Sequence, residues 1–219
     1  MQTQKHTKKS FVLRRGRITA AQKRALNSLK NEHTIELGKG RTNLAEAFLD
    51  PERKLIADVG FGSGESLLSM ANKYPEANFV GIEVYSSGIG SALNQIQKSN
   101  LTNLKIIEAD VFQLLETSIV DKTFDATVFL YPDPWPKRKH HKRRLLSEGF
   151  LSLLFDKIKT NGLVFCKTDW EDYYYQIEEV FSSDTAWASE DLANLPEYLK
   201  SLPKTKYERK ALIEGRQTR

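Results

Sequence analysis

The sequence predicts an α/β fold, a mostly parallel sheet with helices on both faces, and three observations carry this. From Lys54 onward, short apolar runs with β-branched residues alternate with longer helical patterns, as successive βαβ units require. A glycine-rich turn, Asp58-Val-Gly60-Phe-Gly62-Ser-Gly64-Glu65, joins the first run to the first helical pattern. An acid stands at or just beyond the end of each run: Asp58, Glu83, Asp110, Asp133 and Asp169. Right-handed crossovers bring all these ends to one sheet edge, where open α/β sheets bind ligands.

Residues 1–30 are polar and basic and read as a partly flexible arm ending in a short helix over 21–29. Residues 31–219 read as a single domain, long enough for one sizeable core. Runs of strand length are found at 55–59, 78–83, 104–109, 124–131 and 162–167. Helical spacing occupies 65–74, 87–99, 110–115, 145–159 and 171–181. Beyond Ser182 the pattern weakens, and 206–213 reads as a final strand.

A content of 40% hydrophobic and 28% charged residues is ordinary for a globular protein. No apolar run approaches a membrane span and the N-terminus lacks a signal-peptide core, so the expected location is the cytoplasm, with no membrane partner. The lone Cys166 forms no internal disulfide and reads as a small buried hydrophobe; Lys167 points to the other strand face. The net charge of +5 is clustered. The first 31 residues hold many Lys and Arg and no acid, and 137–144 holds only basic residues. Clustered cations suit a polyphosphate partner, because each neutralised phosphate releases counterions.

The most specific stretch is Tyr131-Pro-Asp133-Pro-Trp135-Pro-Lys137. Its prolines fix three φ angles and push the residues before them into extended conformations, so the acid and the indole are held stiffly beside the basic block. In the glycine turn, Gly64 comes one residue too early for the dinucleotide fingerprint, but the spacing fits the G-x-G-x-G loop of S-adenosylmethionine-dependent methyltransferases. Glu83, about 20 residues further on, suits the ribose hydroxyls, and Asp110 the adenine amino group. An acidic rim also suits a sulfonium ligand better than a pyrophosphate.

Together with Arg14-Arg-Gly-Arg17, Thr19, Gln22, Gly81-Ile-Glu83, Thr168-Asp-Trp170 and Thr205-Lys-Tyr-Glu208, these motifs make the chain resemble the bacterial tRNA (guanine-N7)-methyltransferase family over nearly its whole length. The resemblance implies a Rossmann-like class I methyltransferase with a seven-stranded, mostly parallel sheet. It also implies methyl transfer from S-adenosyl-L-methionine to N7 of guanine 46 in the tRNA variable loop. The implied cofactor positions are Asp58, Gly60, Gly62, Gly64, Glu83, Asp110 and Asp133, with Asp133 also catalytic. Substrate positions are Lys137, Asp169, Thr205, Lys206, Tyr207 and Glu208. RNA contacts fall on Lys139, His140, His141, Lys142, Arg143 and Arg144. One departure is Asp58, where the family usually has Glu; the shorter carboxylate would reach the cofactor through water. tRNA is the expected partner, without an obligate protein partner, and both monomer and homodimer fit.

Guanine N7 carries an in-plane lone pair, so its methylation needs alignment rather than a general base. Asp133 is suited to accept from N1–H and the exocyclic amine, to hold the cofactor's amino group, or both. Trp135 suits base stacking or packing beneath the loop. His140 and His141 lack the partner spacing of a metal site and belong with the basic surface. Two rival readings are an amino-group methyltransferase, whose loop would carry an adjacent Pro-Pro pair, and a non-enzymatic RNA-binding module, which leaves the acidic rim unexplained.

Overall fold

The computed structural model describes Phe11 and residues 18–219; the Arg14-Arg-Gly-Arg17 motif lies outside the described residues. Strands β1 (Leu55–Val59), β2 (Asn78–Glu83), β3 (Leu104–Glu108), β4 (Phe124–Leu130) and β5 (Ile158–Lys167) form one sheet in the order β3-β2-β1-β4-β5. Every neighbouring pair is parallel. The strand order reverses between β1 and β4, and this switch point is where the edge opens into a crevice.

The helices are α1 (Ala20–Ser28), α2 (Lys30–His33), α3 (Glu65–Lys73), α4 (Ser86–Ser99), α5 (Val111–Gln113), α6 (Glu148–Lys157), α7 (Glu171–Ser182), α8 (Glu197–Lys200) and α9 (Lys206–Ile213). No described helix is long and apolar enough to cross a membrane. Alternate strand residues feed two cores. Leu55, Ala57, Val80, Ile82 and Phe129 pack under α5, α6 and α7. Ile56, Phe79, Ala126 and Val128 pack under α1, α3, α4 and α8. Phe79 and Phe129, one on each side, are fully buried, each worth about 1.5–3 kcal/mol by transfer.

Helix α1 is held to the domain. Thr19 and Gln22 make a reciprocal capping box, and Gln22 Nε2 donates to Ser91 Oγ at 2.9 Å. Ala25 and Leu29 enter the core beside α4.

Several expectations are corrected. The described residues form five strands rather than seven, because the chain after β5 turns helical at α7, α8 and α9 instead of alternating. Just beyond β5, Thr168 exchanges two backbone hydrogen bonds with Arg219 at 2.8 and 2.9 Å. Residues 206–213 form helix α9, not a strand: the Thr205 side chain caps it by accepting from Glu208 N at 3.1 Å. The helix expected over 145–159 starts at Glu148 and gives way directly to β5 at Ile158, which runs through a bulge at Asn161, φ 62°. The helix expected over 110–115 is one α turn followed by a π-helical stretch, Leu114–Ser118.

Candidate active site

At the switch point the chain leaves β1 through a turn that only glycine makes cheaply. Gly60 and Gly62 have φ of 74° and 60°, and a Cβ on either would meet nothing within 4 Å. Both line a cavity shared with Glu83, Tyr85, Asp133 and Tyr207. Glu83 holds this turn from the end of β2. Its Oε2 accepts from Gly62 N at 2.9 Å, and its Oε1 from Val84 N and Tyr85 N at 2.7 and 3.1 Å. A carboxylate has about four acceptor sites, so room remains for about one further donor from a ligand. Burial raises the Glu83 pKa, the three backbone donors oppose this, and the nearby Asp133 charge adds to the rise.

Gly88, in the first turn of α4, closes the cradle from below: a Cβ there would lie 2.1 Å from the Gly62 carbonyl oxygen. Sequence reasoning missed Gly88. Its only local signal is a poor helix former inside a helical run.

The remaining acids separate. Asp58 is 2% exposed and faces a hollow behind the glycine turn, lined also by Ser63, Thr205 and Lys206. Burial, with the Glu83 charge second, raises its pKa to about 7. Asp110 caps α5, its Oδ1 accepting from Phe112 N at 2.9 Å, while its neighbours Ala109 and Val111 line the main cavity. Asp133 is exposed on the cavity rim. Asp169 lies in a separate hollow with Trp170 and Tyr174, where its Oδ2 accepts from Arg216 Nε at 2.8 Å. Glu208 is 7% exposed and bonds Lys167 Nζ at 3.1 Å.

The loop bearing Asp133 is strained at both ends. Tyr131 and Trp135 have φ of 55° and 47°, in the left-handed region that disfavours bulky residues. The Tyr131 hydroxyl is buried without a hydrogen bond of acceptable geometry. Burial, and then the Glu208 charge, raise its pKa. Trp135 packs against the basic block, edge-on to His140 at 5.8 Å and beneath Arg143 at 5.0 Å.

That block forms a 3₁₀ helix, Arg138–Arg143, with Lys137 before it. Lys137, Lys139 and Lys142 are exposed, His140, His141 and Arg143 are half-buried, and Arg144 is buried. Burial, then Arg143 and the nearby lysines, lower the His140 pKa. Cys166 packs against the α6–α7 core, and burial pushes its thiol up to about 12, far from a nucleophile's range.

A parallel sheet with this order, a glycine cradle at the switch point and a braced strand-end carboxylate define a class I methyltransferase, whose methyl donor is S-adenosylmethionine. The residues fit that group: Gly60 and Gly62 leave open space where side chains would intrude, and Glu83 is aimed by three backbone donors. Residues 52–218 match the model of the Methyltransf_4 family, described as "Putative methyltransferase". The chain is 41% identical over 206 residues to a tRNA (guanine-N(7)-)-methyltransferase of Nitrosococcus oceani, covering 94% of this chain and 86% of that one. A protein of the same name from Nitrosomonas europaea is 38% identical, with coverages of 94% and 92%. The chain belongs to the tRNA (guanine-N(7)-)-methyltransferase family. Among solved structures, an antibiotic-related methyltransferase shares the fold, with a TM-score of 0.58 at 17% identity over 87% of this chain and 95% of that one.

Proposed function

We propose that this chain methylates N7 of guanine 46 in the variable loop of tRNA. The observation that carries this reading is the place of Asp133, on the rim of the glycine-cradled cavity and at the root of the exposed basic 3₁₀ helix. The guanine-46 position comes from the family resemblance of the motifs around it.

S-adenosylmethionine, when bound, supplies an electrophilic methyl group on a positively charged sulfur. Gly60, Gly62 and Glu83 would hold the donor's nucleoside part, with Asp58 and Asp110 as further cofactor-binding acids. Asp133 accepts from the donor edge of guanine and offsets the positive charge that N7 methylation leaves on the ring. It removes no proton, because N7 attacks with a lone pair. The loop's stiffness supplies alignment, which is worth roughly 7–11 kcal/mol in well-oriented reactions. Lys137, Lys139, Lys142 and Arg143 meet tRNA phosphates, and Thr205, Lys206 and Tyr207, which line the hollow behind the glycine turn, add further substrate contacts. Asp169 and Glu208 supply further acceptors once Arg216 and Lys167 yield their ion pairs. The target base leaves its stack to enter.

The test is incubation with labelled S-adenosylmethionine and unmodified tRNA, with the methyl group located by nucleoside mass spectrometry and borohydride–aniline cleavage. Cleavage at guanine 46 is expected. Methyl on another atom, or none transferred, would overturn the reading.

A further inference from the structure

Arg144 ends the basic block, yet only 2% of its side chain is exposed. Its Nε donates to the Pro134 carbonyl at 2.8 Å. One terminal nitrogen donates to Gln176 Oε1 at 2.8 Å, and the other donates to Asp172 Oδ1 at 2.5 Å and lies 3.2 Å from His141 Nε2. The guanidinium lies 4.8 Å from the centre of the Tyr173 ring. Asp172, Tyr173 and Gln176 all belong to α7, which opens just after Asp169 and Trp170. Pro134 directly follows Asp133, between the two strained residues Tyr131 and Trp135. Strained backbone of this kind persists only where its surroundings over-determine it. A buried planar fork with three separate acceptors does that, and a lysine's compact ammonium does not reproduce the fork.

We propose that Arg144 is a positioning residue that ties the Asp133 loop to α7, fixing the acid at the end of β4 relative to Asp169 at the end of β5, and that it contacts no RNA. Its catalytic consequence rests on the methyltransferase reading above; the tether itself does not.

The test compares Arg144→Lys, Arg144→Gln and the double variant Asp172→Ala/Gln176→Ala with the native chain. Four quantities are read: kcat and KM for tRNA, the salt slope of tRNA binding, and hydrogen exchange across 131–137. Arg144→Lys should lose tenfold or more in kcat, with KM within about twofold, an unchanged salt slope and faster loop exchange, since small misplacements are costly to aligned reactions. The double variant, cut at the exposed side of the tether, should shift kcat and exchange in the same direction by a few fold, and it carries the test should the Arg144 variants not fold. Activity kept in Arg144→Lys with a shallower salt slope in Arg144→Gln would mark a phosphate contact and overturn the proposal. Unchanged kcat and exchange in the folded variants would overturn it too. A native chain that does not methylate tRNA would sink the functional reading alone, and loop exchange would still decide on the tether.

Discussion

Arg209, near the start of α9, donates to both carboxylate oxygens of Glu65, the first residue of α3, at 2.8 and 3.1 Å. The pair joins the Thr205–Glu208 segment to the helix that opens after the glycine turn, and Arg209 holds the Glu65 carboxyl below its usual range. The two side chains are 50% and 42% exposed, so the pair stabilises the fold by less than about 1 kcal/mol. Its use is placement. Arg209→Ala should move Tm by no more than about 2–4 °C while raising KM for tRNA several-fold, read by thermal unfolding and steady-state kinetics; an unchanged KM would separate this segment from RNA binding.

Asp58 should contribute stability that is lost as pH rises toward neutrality. Folded Asp58 keeps its proton to about 7, against 3.8 ordinarily, so between those values the native state binds more protons than the unfolded chain and rising pH favours unfolding. Glu83, also raised, acts with the same sign. Asp58→Asn should flatten urea midpoints across this window and raise them above pH 7. An unaltered pH profile would remove Asp58 as the source.

Asp133→Ala should abolish turnover, by a hundredfold or more if the acceptor acts on developing charge, while tRNA binding survives. Filter binding and single-turnover kinetics would separate the two effects. Loss of tRNA affinity in parallel with kcat would instead make Asp133 an ordinary binding residue.

Tyr131→Phe deletes a buried hydroxyl that has no well-formed hydrogen bond. Leaving such a group buried costs about 1–3 kcal/mol, so its removal should keep or raise Tm. A clear drop in Tm would show that the hydroxyl has a stabilising partner, with Glu208 the first candidate.

Replacing exposed Lys139 and Lys142 by Ala should weaken tRNA binding and reduce the magnitude of its log–log salt slope by about one for each phosphate that is no longer neutralised. Circular dichroism should be unchanged, since neither side chain is buried. An unchanged slope would place the RNA elsewhere.

Much of the architecture is legible because its signals are local. Apolar runs of strand length locate β1, β2 and β4, and the spacing of three glycines locates the cradle. The prolines mark the Asp133 loop, but Tyr131 and Trp135, expected to be extended before Pro132 and Pro136, take φ of 55° and 47° instead. Thr205-Lys-Tyr-Glu208 carries a legible helix start as well, since Thr followed three residues later by Glu is a capping-box pattern. That signal outweighs the strand expected there, although in the fold Glu208 turns to Lys167 rather than back to the cap.

By itself, then, the sequence determined the strand–helix alternation, the glycine turn and the place of the proline-framed loop, set by backbone preferences over a few residues, and it carries the clustering of cations directly in its composition. Only the tertiary structure decided which charged side chains stay free to meet a ligand. Arg144 finds Gln176 across 32 positions, Asp169 finds Arg216 across 47, and Glu65 finds Arg209 across 144. Long polar side chains choose partners by proximity in space, and local spacing carries no record of that choice.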